Sequence, residues 1–205
     1  MRKLIIATLL VGGFSTATFA QGKGAVEYGF NAGYNISTVV SSEDNADSGN
    51  GFNVGFAADF YFSDRWSIKG KLIYDQKGWD NDVITDLDTG NTYDTNYNLN
   101  YLTVPVMANW HFGKKRNWYL DFGPYVGFLM SAEDTRFGAD VKEYFNSTDF
   151  GLSYGIGVKI PLNNKVKLSL EYEEQTGFSN VFKNATYNVT NSRSSFNVGL
   201  NFLMK

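Results

Sequence analysis

AVEYGFNAGYNIST, residues 25–38, alternates almost without a break. Val26, Tyr28, Phe30, Ala32, Tyr34 and Ile36 form an apolar set, with Glu27, Gly29, Asn31, Gly33, Asn35 and Ser37 between them. Period-two alternation is a strand with one greasy and one polar face. Which face looks inward decides between two opposite proteins. A greasy interior would mean a soluble β-barrel or sandwich, and a greasy exterior would mean a membrane barrel.

The same alternation recurs seven more times. Strands are expected at 52–62, 66–74, 102–112, 118–130, 150–160, 166–172 and 196–202, nearly always with the apolar residues at even numbers. The connections alternate in length. Ser63-Asp64-Arg65, 113–117 and 162–165 are short turns, whereas 40–50, 80–96, 133–148 and 176–192 are long and polar. Long connections on one side and short ones on the other predict an up-and-down barrel with two unlike ends. Two features interrupt the pattern. Pro105 and Pro124 fall inside strands, where each removes a ladder hydrogen bond. Tyr97, Leu99 and Tyr101 are apolar at odd numbers, so the parity flips at Tyr101-Leu102, and a β-bulge near Pro105 would account for it.

Bulk settles which face is inside. Phe30, Phe52, Phe56, Phe60, Phe62, Trp66, Trp110, Trp118, Phe122 and Phe128 share the greasy face. An eight-stranded barrel has room inside only for ordinary side chains. The opposite face carries Gly29, Gly33, Gly55, Gly123, Gly127, Gly151, Gly155, Gly157 and Gly199, which suit a crowded, curved lumen. The polar face is therefore inside and the greasy face meets lipid. Unpaired N–H and C=O groups cost several kcal/mol each in hydrocarbon, so only a closed barrel can span it. Trp66, Phe112 and Trp118 flank the short turns as an aromatic girdle, and Tyr34, Tyr74 and Tyr172 lie toward the other rim.

The first twenty residues read differently. Arg2 and Lys3 precede the apolar run 4–11, and Thr18-Phe19-Ala20 offers small residues to a signal peptidase. Residues 1–20 are thus expected to be a signal peptide cut before Gln21, with 21–205 one barrel domain. Without Arg2 and Lys3, 16 basic residues face 21 acidic ones, which argues against nucleic acid as a partner. Cysteine is absent from the sequence, so neither disulfides nor thiolate metal sites are available.

Three motifs carry a family resemblance: Tyr101-Leu102-Thr103-Val104-Pro105-Val106, then His111-Phe112-Gly113, then Asp121-Phe122-Gly123-Pro124-Tyr125-Val126-Gly127-Phe128. Together they resemble the outer-membrane protein β-barrel domain widespread in Bacteroidetes, the PorT-like group. The resemblance extends over the chain after residue 20. It implies an outer-membrane location and eight strands, and it implies little about activity.

Candidate chemistry is sparse. His111 is the only histidine. Some small outer-membrane barrels of similar size modify lipid A with a His and a Ser or Asp, but His111 lies beside a short turn, away from the outer leaflet, and is read as a lumen or rim residue. Asp80, Asp82, Asp86, Asp88 and Asp94 crowd one long connection without EF-hand spacing, which fits a solvated acidic loop. Asn146, Asn184 and Asn188 open glycosylation sequons that are common in polar loops. The lumen set is more telling. Glu27, Asp59, Asp75, Asp121, Glu171 and Glu173 share inward parity with Lys69, Lys71, Lys77, Lys159 and Lys167. Buried charges must pair or be hydrated, and near-balanced signs favour a plug of ion pairs over a selective pore.

The sequence therefore predicts an all-β, eight-stranded antiparallel up-and-down transmembrane barrel in the Gram-negative outer membrane. It is expected to be a monomer without cofactor, metal or catalytic residues, surrounded by outer-membrane lipids. Its role is expected to lie in its surface loops or an envelope protein partner. A narrow solute pore or secretion-system accessory, and a lipid A-modifying enzyme, are the alternatives.

Overall fold

The computed structural model describes residues 22–41, 46–86 and 89–204. The expected signal segment and Asp88 lie outside them. Eight strands run in order: β1 (Val26–Ser41), β2 (Asp47–Tyr61), β3 (Trp66–Thr85), β4 (Thr92–Phe112), β5 (Trp118–Asp134), β6 (Thr148–Pro161), β7 (Val166–Gly177) and β8 (Val189–Met204). Each pairs antiparallel with the next, and β1 closes on β8 from Val26↔Met204 to Ser41↔Val189. Closure leaves no sheet edge to lipid.

Parity sets which side chains go where. On β4 the odd residues Thr103, Pro105, Met107, Asn109 and His111 are buried in the lumen. Even residues elsewhere face outward: Phe30 is 62% exposed, Phe122 56% and Phe196 56%. At the short-turn end Trp66, Trp110, Phe112 and Trp118 form a run of neighbouring rings, with centroids 6.3, 5.2 and 6.4 Å apart. This is the girdle anticipated from the sequence.

The parity flip expected on β4 is absent. Tyr97, Leu99 and Tyr101 stay in step with Thr103 and point inward, because the lumen itself turns apolar at this height. The irregularities lie on the neighbouring strands. On β5 the register passes from Asn100↔Ser131 to Tyr101↔Leu129, leaving Met130 as the extra residue, and beyond it the even residues Ala132 and Asp134 are buried. On β3 it passes from Trp79↔Tyr97 to Asp82↔Thr95, with Asn81 at φ 55°, and this bulge turns Ile84 toward the core.

Each proline opens one ladder and leaves the other intact. The β3–β4 register runs Gly70↔Val106 then Ile73↔Thr103, interrupted opposite Pro105. The β4–β5 register runs Pro105↔Tyr125 then Ala108↔Phe122, interrupted opposite Pro124, while Pro124↔Leu152 holds on the far side. Gly123 makes the second interruption tolerable. A Cβ there would lie 2.1 Å from the Val106 carbonyl oxygen, so only glycine admits this approach of β4 to β5.

The long connections contain more strand than their composition foretells. The β3–β4 ladder continues to Thr85↔Thr92, making those strands 20 and 21 residues long. Above the apolar band Asp80, Asn81 and Asp82 follow one another and Val83 and Ile84 stand side by side, so the alternation that marks a strand disappears. The strand does not.

Candidate functional site

The inward positions build three tiers of charge. Nearest the short turns, Glu27 accepts from Lys159 and from Lys167 (2.7 Å), and Lys159 also reaches Asp59 at 2.9 Å and the Tyr61 hydroxyl at 3.1 Å. In the middle, Lys69 bridges Asp121 (2.5 Å) and Glu171 (3.0 Å), and Lys71 bridges Glu171 and Glu173 (2.5 Å). Arg193 joins Glu173 (2.8 Å) to Asp75 (3.3 Å). Toward the long loops, Lys77 pairs with Asp149 at 2.9 Å and lies over the rings of Tyr101 and Tyr125. Chain geometry serves this packing. Tyr119 lies across Gly157, where a Cβ would sit 2.4 Å from its hydroxyl, and so reaches Glu171 at 2.7 Å.

Every charged lumen residue foreseen from parity is brought into this network. Asp149 and Arg193 were missed. Both have inward parity, but they lie one and three residues outside the apolar runs that mark β6 and β8. Extending the parity past those runs would have found them.

Above the charges is an apolar lid. Trp79, Leu99, Tyr101, Leu129 and Ala132 from the strands pack with Val141, Phe145 and Val181 from the β5–β6 and β7–β8 connections. Trp79 rings lie 6.0 Å from Phe145 and 5.8 Å from Phe182, and its indole N–H donates to Asp82 at 2.6 Å. Asn146 ties the two connections together, donating to the carbonyls of Asn180 (2.8 Å) and Phe182 (3.1 Å). The lumen is closed twice over, by ion pairs and by this lid.

The structure also assembles a Ser–His pair that the sequence did not reveal. Ser67 Oγ lies 3.1 Å from His111 Nε2, and Asp59 Oδ2 lies 3.9 Å from that same nitrogen. A catalytic histidine contacts the nucleophile through one nitrogen and its orienting carboxylate through the other. Here both neighbours face Nε2, while Nδ1 has no hydrogen-bond partner among the described residues. Ser67 and His111 are both 0% exposed, and the His111 ring packs against those of Tyr61 and Tyr119.

The acidic connection does not gather. Asp80 sits opposite Asp47, Asp82 binds the Trp79 indole, Asp86 accepts from Thr89 at 2.8 Å, and Asp94 lies opposite Val83. Among the described residues, no three His, Cys, Asp or Glu side chains are placed to hold a metal ion.

A family model described as outer membrane protein beta-barrel domain matches residues 19–183. The chain belongs to this family. It is a small integral β-barrel of the Gram-negative outer membrane. No curated protein matches it in sequence. Among solved structures it is similar to the outer membrane protein OprG from Pseudomonas aeruginosa, with 12% identity over 91% of this chain and 99% of that one and a TM-score of 0.54. Neisserial surface protein A shares 18% identity over 85% and 96% of the two chains, at a TM-score of 0.52. The outer membrane protein AlkL, solved in DMPC lipid bilayers, shares 12% identity over 94% and 96%, also at 0.52. Identities this low speak to the fold alone, and that fold is the family's barrel.

Proposed function

We propose that this barrel is a non-enzymatic, monomeric outer-membrane protein that acts through its long-loop end, where its connections meet an envelope partner. The doubly closed lumen carries this reading. Paired charges and the Trp79 lid both lie across the lumen and weigh against a solute pore, whereas the same lid holds the β5–β6 and β7–β8 connections as a platform. Closure of the sheet supports a monomer, since no edge is left to pair. The motifs at 101–106, 111–113 and 121–128 lie on adjacent β4 and β5 and support a PorT-like placement within the family. A signal peptide over residues 1–20 supplies the export route. Short turns face the periplasm in such barrels, which puts the platform outside the cell.

The cysteine-free sequence makes the test clean. Val83→Cys places one thiol on the β3–β4 hairpin, and Lys114→Cys places one on a short turn. A membrane-impermeant maleimide should label the first on intact cells and not the second. In native outer membranes, a thiol-reactive cross-linker on the first should yield a discrete protein adduct. Labelling of Lys114→Cys alone would reverse the orientation. Adducts formed only from that turn would move the function to the periplasmic end.

The Ser67–His111 pair favours the lipid A-modifying alternative by its distance and opposes it by its burial. Replacing His111 by Asn should cost about 1 kcal/mol, the usual worth of one hydrogen bond, and leave lipid A acylation unchanged. Mass spectra of lipid A that change with this substitution would restore the enzyme.

A further inference from the structure

Outward positions of the apolar band are uncharged on seven strands. At 26–36, 52–62, 66–74, 102–112, 118–130, 150–160 and 196–202 no even-numbered residue is acidic or basic. On β7 the run 166–172 keeps the rule, but the next outward position above it is Glu174, where other strands place Thr38, Asn50, Gln76, Asn100, Thr148 and Ser194. Glu174 follows Val166, Leu168, Leu170 and Tyr172 on the lipid-facing side, between Tyr154 of β6 and Ser194 of β8. Eight residues separate it from the start of β7. At about 3.3 Å per residue and a tilt near 40°, that puts it about 20 Å up a band about 25 Å tall.

Glu174 is held rather than loose. One carboxylate oxygen, Oε1, accepts from the Tyr172 hydroxyl and from Ser194 Oγ (2.8 Å). Tyr172 in turn lines an open groove that descends toward the short turns, walled by Phe196, Ile156, Leu170, Val198 and Trp118. The Tyr172 and Phe196 rings stand 4.9 Å apart at its top. This face lies in the bilayer, so its occupant is a lipid. An anion at the rim above an apolar channel selects a cationic head with a hydrocarbon tail. An ionisable side chain on a membrane face marks a functional site when its partner can be named from chemistry.

We propose that Glu174 and the groove beneath it form a binding site for a lipid with a primary-amine head group. The ammonium meets the Glu174 carboxylate, and one acyl chain lies along Leu170 and Val198. This site is separate from the loop platform and does not depend on it.

Native mass spectrometry of the purified barrel tests it, with equal amounts of phosphatidylethanolamine and phosphatidylglycerol carrying identical chains. The wild type should retain the amine lipid about tenfold over the other, the ratio expected of one charge-assisted contact. Glu174→Gln keeps an acceptor for Tyr172 and Ser194 but loses the charge, and should bring the ratio near one. Leu170→Trp fills the groove and should reduce both adducts. Equal retention by the wild type overturns the site without any variant. So does a preference that survives Glu174→Gln, an adduct level untouched by Leu170→Trp, or a homodimer that covers this face.

Discussion

Truncating Lys69 and Lys71 together to alanine is expected to destabilise the barrel by several kcal/mol without opening a channel. Lys69 holds Asp121 and Glu171, and Lys71 holds Glu171 and Glu173, all side chains at most 7% exposed. Removing one partner of a buried pair costs about 3–5 kcal/mol, because the remaining charge stays buried without compensation. Asp121 and Glu171 would lose every cation that contacts them, whereas Glu173 would keep Arg193. The two losses share Glu171, so they should not add. The midpoint of urea unfolding in lipid vesicles would fall accordingly. Lys69→Met combined with Asp121→Leu should recover part of the loss, since replacing a whole buried pair by apolar groups is often neutral. In planar bilayers neither wild type nor double variant should conduct, because Arg193, Tyr119 and the Trp79 lid still fill the lumen. Stable single-channel steps from the wild type would refute the plug.

The second large effect is expected at the lid. Trp79 is 1% exposed and touches the rings of Tyr97, Phe145 and Phe182. Trp→Ala in a packed core costs about 3–5 kcal/mol. Here the loss should fall on the connections rather than the barrel, since the ion-paired tiers below do not use Trp79. Lys142 and Lys183 lie on connections that the lid anchors, and their ammonium groups donate to the backbone carbonyls of Met130 and Glu143. In Trp79→Ala, tryptic cleavage at these lysines should rise by about two to four orders of magnitude, the factor that 3–5 kcal/mol implies for local opening. The barrel should still shift on a heat-modifiability gel. Cleavage no faster than in the wild type would mean the platform holds without its lid.

These two sites show where sequence reading reaches and where it stops. The barrel was legible because its driving contrast is local. Val26 through Ile36 alternates every second residue, and the same two-residue period in seven other segments needs no knowledge of what lies across the sheet. Bulk on one face and glycine on the other then gave the direction of the lumen. The charged residues of that lumen followed from parity alone, except Asp149 and Arg193, which lie past the ends of the apolar runs.

Pairing was not legible. Lys69 meets Asp121 across 52 residues and Lys71 meets Glu173 across 102, and those meetings depend on register around a closed ring, which no local pattern encodes. The lid shows the same limit in another form. Tyr97, Leu99 and Tyr101 suggested a bulge on β4, because an apolar residue on the polar face has only local explanations in a sequence. The true cause is distant: Val141, Phe145 and Val181 fold over the mouth and make the interior apolar there. The Ser67–His111 contact joins residues 44 apart on the neighbouring strands β3 and β4, and it depends on the register between them. Sequence alone determined that this chain is an eight-stranded membrane barrel with a charged interior. Tertiary structure decided which of those charges meet and what packs above them, since closure of the ring and folding of the loops bring remote residues into contact.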